Sequence, residues 1–286
     1  MSASSNNPCS SRGLLRSQHT FVHPQFARLK HFVASLPQLF ADPEQGRVIY
    51  RGRNELREFE VEGVRVVVKS FCKPHLVNRL AYGVLRKSKA QRSFEYADLL
   101  RNEGIGSPAP VGWVTVRCGL LLAESYYVSV SSDLPFTYID LMQPGRVPGE
   151  EILLREVGRT AGRMHNLGMI HRDFSRGNIL VGMKKGKPCV EIIDLNRIRF
   201  HQINMAEGLA NFNRLPVSDM MRRLLAEGYA ETRGYDAAQC QTNWPKTESL
   251  DIELRETVGN MVSCECFDFN NCLRLSSDGK QTGREL

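Results

Sequence analysis

The stretch MIHRDFSRGNILV, residues 169–181, sets His171, Asp173 and Asn178 inside an otherwise apolar frame. It follows a helical pattern and runs into a strand, so its polar centre reads as a loop. Asp173 stands five residues before Asn178. A loop of that length can place a carboxylate beside a reacting hydroxyl while the amide oxygen turns back toward a metal ion. His171 is expected to pack and hydrogen-bond the loop. Taken alone, the stretch could equally be a polar connection between a helix and a strand.

Its surroundings favour the chemical reading. Sixteen residues after Asn178, EIIDLNR places Asp194 at the end of an apolar strand. The intervening segment NILVGMKKGKPCVEIIDL has the form of a hairpin turning at KKGK, which brings Asn178 and Asp194 to the same end. Mg2+ prefers a few hard oxygen ligands plus phosphate and water, and these two side chains would supply them. A strand-ending Asp is otherwise a turn former. Upstream, VVVKS ends a strand with Lys69, and RSFEYADLL puts Glu95 on a helix. A strand lysine can hold nucleotide phosphates and be held in turn by a helix carboxylate. No G-x-G-x-x-G is present. GRNELREF, with Gly52, Arg53 and Asn54, offers donors to phosphate or is simply a hairpin turn.

Working outward, the periodicity predicts a helix over 24–40, opened by Pro24 and carrying Phe26, Leu29, Phe32, Val33 and Leu36 on one face. RVIYRGRNELREFEVEGVRVVVKSF alternates apolar and polar residues with turn signals at Gly52 and Glu62-Gly63, predicting three antiparallel strands. Helical character returns over 74–101. VGWVTVR and LLLAESYYVSV then add two strands, completing a five-stranded sheet. GEEILLREVGRTAGRMHNLG and residues 205–213 and 217–231 read as helices. A sheet-rich part therefore precedes a helix-rich part, an α+β arrangement. Residues 1–20, rich in Ser and Asn, are expected to be disordered.

Composition bounds the rest. With 42% hydrophobic and 24% charged residues among 286, the chain is long enough for two lobes with sizeable cores and is not disordered throughout. No apolar run approaches a membrane span, and the polar N-terminus lacks the apolar centre of a secretory signal, so a cytoplasmic location is expected. The net charge is +7; residues 241–286 hold five Lys/Arg and eight Asp/Glu, a net of −3, which leaves +10 for residues 1–240. That surplus points to anionic partners. Residues 73–92, KPHLVNRLAYGVLRKSKAQR, interleave apolar and basic side chains. They read first as a helix packed on the small lobe, and alternatively as a peripheral contact with an anionic membrane. The eight cysteines lack scaffold spacing, so reduced thiols are expected. Cys264, Cys266 and Cys272 lack paired metal-ligand spacing.

H-R-D-x-x-x-x-N is the spacing of the protein-kinase catalytic loop. VVVKS, RSFEYADLLRNEGIGSPAPVGW, HRDFSRGNIL and IIDLNRIRF together resemble the lipopolysaccharide core kinase family, including the Kdo and heptose kinases, within the protein-kinase-like superfamily. The resemblance covers about residues 24–237 and is carried most specifically by HRDFSRGN with DLNR. It implies a bilobal protein-kinase-like fold, with a small antiparallel-sheet nucleotide lobe over 21–130 and a catalytic helical lobe over 131–240. It also implies ATP and Mg2+ as cofactors and Asp173 as the catalytic residue. Lys69, Glu95, Asn178 and Asp194 become the cofactor-binding residues, with Asn178 and Asp194 on the metal. The implied acceptor is a sugar hydroxyl, Kdo, of the lipid A-linked inner core, met at the inner face of the inner membrane; nucleic acid is not an expected partner.

Ser175 stands where Ser/Thr protein kinases carry Lys, Arg176 beside it could meet a phosphate or an anionic sugar, and no Ala-Pro-Glu follows Asp194. An atypical RIO-like protein kinase and a small-molecule kinase of the aminoglycoside phosphotransferase type share the same Asp, Asn, Asp pattern and remain alternatives. A pseudokinase scaffold is opposed by the presence of Lys69, Asp173, Asn178 and Asp194 together. The resemblance fades near Asp236, and residues 241–286 form an atypical tail without an assigned role.

Overall fold

The computed structural model describes residues 15–72 and 86–245. Most of the 73–92 stretch, the first fourteen residues and the tail from 246 lie outside the described residues. Among those described, the chain divides into two compact units. The first runs up to Asp98 and includes Ala109–Ser131; the second comprises Leu99–Pro108 and the chain from Ser132 onward.

The first unit is built on a six-stranded antiparallel sheet in the order β1-β5-β6-β4-β3-β2. β1 is Arg16–Val22, β2 Arg47–Arg51, β3 Glu55–Val61, β4 Val64–Ser70, β5 Pro110–Cys118 and β6 Leu121–Val130. Five of these strands follow the alternation in the sequence. β1 does not: residues 16–20 fall in the segment expected to be disordered, yet pair along the edge of β5 from Arg16 against Cys118 to Val22 against Gly112. What holds this polar strand is aromatic contact rather than apolar periodicity. His19 meets the Trp113 ring edge-on at 4.9 Å and Phe21 stacks on it at 6.2 Å.

The expected helix over 24–40 is real but broken, into a 3-10 turn Pro24–Leu29, α1 Lys30–Ala34 and α2 Leu36–Ala41. Its apolar face, Leu29, Val33 and Leu36, covers one side of the sheet, where Val66, Val68, Val114, Val116 and Val128 are buried. Arg57 on β3 is 2% exposed. Its guanidinium donates to the carbonyls of Leu39 (3.2 Å), Asp42 (2.6 Å) and Gln45 (2.9 Å) and pairs with Glu55. It thereby satisfies carbonyl groups that the end of α2 would otherwise leave unbonded. On the other face of the sheet, Phe71 and Trp113 pack with Ala90 and Phe94 of α3, Lys89–Asn102.

The second unit carries α4 Tyr138–Leu141, α5 Glu150–Asn166, α6 Met205–Ala210, α7 Asp219–Arg233 and α8 Ala237–Thr242. α5 and α7 pack closely because they meet at glycines. A Cβ on Gly158 would collide with the Leu225 carbonyl oxygen, and one on Gly228 with that of Arg155. Ion pairs Arg155–Glu227 (2.9 Å) and Arg159–Glu231 (2.8 Å) run alongside the crossing. The strands are short: β7 Phe136–Thr137, β8 Met169–His171, β9 Ile179–Lys184, β10 Lys187–Ile192 and β11 Ile198–Phe200. β9 and β10 form the expected hairpin, turning through Lys185 and Gly186, both with positive φ. The combination of an antiparallel sheet unit with a helix-rich unit is the α+β class read from the sequence. Cys72, Cys189 and Cys240 are free thiols, whereas Cys118 is disulfide-bonded, against the expectation of reduced thiols throughout.

Candidate active site

α5 ends at Asn166, Gly168 takes the left-handed turn that an L side chain resists, and the chain enters β8. β8 pairs with β11, His171 opposite Ile198, so the loop after His171 and the turn before Ile198 emerge at one end. The β9–β10 hairpin starts and finishes beside them: Ile179 pairs with Ile192, and the Ile193 N–H donates to the Asn178 carbonyl at 3.0 Å. Asp173, Asn178 and Asp194 are thus gathered on loops of the second unit by two short ladders.

The loop is held from within. His171 is buried, its Nδ1 accepts the Asp173 N–H at 3.1 Å, and its Nε2 lies 3.2 Å from the Ile193 carbonyl, to which it donates. That pattern fits a neutral ring, and burial lowers the His171 pKa from its usual value. Asn178 donates its amide hydrogens to the Asp173 carbonyl (2.9 Å) and the Ser175 hydroxyl (3.2 Å). Its side-chain oxygen is left as an acceptor, which suits a hard cation. Phe174 is buried with its ring perpendicular to Phe212 at 5.7 Å.

Asp194 has φ 55 and ψ 46. Among the described residues three non-glycine positions have positive φ: Glu62 and Lys185 sit in hairpin turns and Asp194 does not. Aspartate tolerates the left-handed region better than most residues, and strain of this kind concentrates at functional positions. Asn196 donates to its carboxylate. Among the described residues no group of three or more His, Cys, Asp or Glu side chains could cage a metal by itself. A pair such as Asn178 and Asp194 fits Mg2+ only where phosphate oxygens complete the shell.

Sequence reasoning missed several participants. Asp173 is clamped by two arginines: Arg197 Nη1 lies 3.0 Å from Oδ2, and Arg214 bonds Oδ1. Arg197 belongs to the quoted DLNR; Arg214 is 41 residues from Asp173 and carries no local signal. Asn211 donates to the His171 carbonyl at 2.9 Å, and its oxygen faces His165 Nε2 at 3.1 Å, while His165 Nδ1 meets the Tyr229 hydroxyl at 3.0 Å. A polar chain therefore runs from α7 to the loop that carries Asp173. Burial, ahead of any charge, lowers His165 to about 4.

This shift has a measurable consequence. A histidine whose folded pKa lies below its unfolded value binds fewer protons when folded between those values. Its contribution is thus present above about pH 6.5 and is lost as pH falls toward 4, by about 3 kcal/mol in all. Urea unfolding across that range should show a steep acid-side loss that is shallower in His165→Gln, whatever the variant's stability at neutral pH. Equal slopes would show that His165 does not titrate in this way.

In the first unit, Lys69 lies on β4 on the face opposite the α1–α2 segment, opposite Tyr127 of β6, with its ammonium 5.4 Å from the Phe71 ring centroid. Glu95 lies on α3 and accepts from Lys87 (2.8 Å) and Gln91 (3.1 Å), so the Lys69–Glu95 pair expected from the sequence is not the arrangement seen. A neighbour that sequence reasoning passed over is Lys89, at the start of α3. Burial, then the charges of Arg53, Arg92 and Lys69, lower its pKa below the usual lysine value. Four cations gathered around Lys89 in this way suit a polyphosphate ligand. Arg53 comes from GRNELREF, whose Asn54 side chain accepts the Cys72 N–H at 3.2 Å. That bond ties the β2–β3 turn to the end of β4.

Comparison with known proteins bears on the family and the fold. The model of the "Lipopolysaccharide kinase (Kdo/WaaP) family" matches residues 52–242. The solved structure described as WaaP in complex with acyl carrier protein is similar with a TM-score of 0.52 and 18% sequence identity, covering 84% of this chain and 94% of that one. Mitogen-activated protein kinase pmk-2 of Caenorhabditis elegans is 28% identical over 202 residues, 68% of this chain; the match spans 43% of that relative's length.

Proposed function

This chain belongs to the lipopolysaccharide kinase (Kdo/WaaP) family, and from that membership we propose that it transfers the γ-phosphoryl group of ATP to a hydroxyl of an inner-core Kdo sugar. The observation that carries this reading is the grouping of Asp173, Asn178 and Asp194 by the β8–β11 and β9–β10 ladders. Phosphoryl transfer needs little covalent help from the protein and much positioning and charge. Asp173 takes the role of base or orienter for the acceptor hydroxyl. Asn178 and Asp194 would hold Mg2+, which when bound neutralises charge on the phosphates. On the first unit, Lys69, with Lys89 and Arg53, is assigned to nucleotide phosphates; Glu95 belongs to the same site through the lysines around it.

The acceptor is lipid-anchored in this reading, so the enzyme works at the inner face of the inner membrane as a peripheral protein. No helix among the described residues is long and apolar enough to cross a membrane. A protein acceptor is disfavoured by the segment after Asp194. Between it and α6 the chain makes only a 3-10 turn, β11 and a short connection, leaving no length for a regulatory activation segment.

Incubation with ATP, Mg2+ and Kdo-lipid A should add the mass of one phosphate to the lipid. An unchanged lipid, with phosphate appearing instead on a protein or aminoglycoside acceptor, would replace this reading with one of the other kinases of the same fold.

A further inference from the structure

We propose that Arg197 and Arg214 form a subsite for a carboxylate on the acceptor sugar, and that Arg214 moves from Asp173 to that carboxylate when the acceptor binds. This rests on the sugar-kinase reading above and deepens it, because it names the residues that would recognise the carboxylate by which Kdo differs from a neutral sugar such as heptose. The two guanidiniums each hold one oxygen of the Asp173 carboxylate, which shows that their spacing accommodates a carboxylate between them. Two cations share the one Asp173 carboxylate, so one of them can turn to a second anion while the other keeps its pair.

The clamp is not needed to shape the loop. His171, Asn178 and Asn211 already hold it through backbone atoms of residues 171 and 173. The arginine side chains are 49% and 58% exposed. The Asp173 side chain between them is 18% exposed, and a guanidinium so open to water can leave its pair at less cost than a buried one. Their bases, by contrast, are fixed. Arg197 ends the 3-10 turn that follows Asp194, and Arg214 ends the 3-10 turn Asn211–Arg214, held by Asn211 on His171 and Phe212 against Phe174. Exposed heads on fixed bases suit recognition of a small anion.

The exchange also explains how a clamped carboxylate can act. With Arg214 on Oδ1, an incoming hydroxyl must compete for that oxygen. Once Arg214 has turned to the acceptor's carboxylate, Oδ1 is free to accept the hydroxyl hydrogen. The hydroxyl oxygen then forms its bond to the γ-phosphorus as the bond to the bridging oxygen breaks. ADP leaves with that electron pair, and the hydroxyl proton passes to Asp173 and on to water.

The test compares a soluble Kdo methyl glycoside with its carboxyl-reduced alcohol as acceptors for the full chain. Wild type should favour the acid by at least about 10-fold in kcat/KM, the usual weight of one charge-assisted contact. Arg214→Gln should bring the two acceptors to within about 3-fold of each other, chiefly through a raised KM for the acid, with Arg214→Lys recovering part of the preference. Equal use of both acceptors by wild type would overturn the proposal. So would equal losses on both acceptors in Arg214→Gln, which would make Arg214 a positioning residue for Asp173. If wild type phosphorylates neither sugar but does phosphorylate another acceptor class, the sugar-kinase reading itself fails and this inference falls with it.

Discussion

Asp173→Asn is expected to reduce phosphoryl transfer by about 10²- to 10⁴-fold, the range for removing a positioned proton acceptor. The fold and nucleotide affinity should persist, because the bonds that shape the loop use the Asp173 backbone and not its carboxylate. Its N–H is held by His171 and its carbonyl by Asn178. Asparagine keeps the size and one oxygen for an arginine, so the substitution removes charge and basicity with little change in shape. Single-turnover rates with saturating ATP, read beside the thermal midpoint, separate the two effects. Turnover within a few-fold of wild type would remove Asp173 from the chemistry.

The second large effect concerns the nucleotide. Asp194→Asn and Lys69→Ala should each weaken productive Mg-ATP binding. A ligand at 100 times its dissociation constant stabilises the folded state by about 2.7 kcal/mol, and most of that protection should disappear. Asparagine is the better choice at Asp194. The residue occupies the left-handed region, where alanine would add backbone strain to the loss of charge, whereas asparagine tolerates that conformation. Lys69 sits on a regular strand, so alanine there tests the ammonium alone. Unchanged Mg-dependent protection against thermal unfolding in both variants would place the nucleotide away from these residues.

The site was legible from sequence where it is local. Asn178 and Asp194 are joined by a hairpin whose turn, Lys185-Gly186, and alternating strands are written in consecutive residues, so their shared end follows from period and turn chemistry. The same holds for the β2–β3–β4 meander and for Lys69 at the end of its third strand. Glu95 shows where that reasoning stops. Helical period places it on α3 but does not select its partner, and Lys87, eight residues away, takes the carboxylate in place of Lys69.

Elementary patterning in this chain therefore determines which segments are strands and helices, and it brings together chemistry carried on neighbouring turns. Only the tertiary structure decides contacts between elements far apart in the chain. Arg214 reaches Asp173 because Phe212 and Asn211 dock their turn on the loop after β8, and β1 is a strand because Trp113 of β5 receives His19 and Phe21. Periodicity encodes which face a residue turns inward, since burial of that face is favourable whatever covers it. The identity of what covers it depends on how whole elements pack. For polar side chains such as Arg197, Arg214, Asn211 and His165, that packing selects which partner completes their hydrogen bonds.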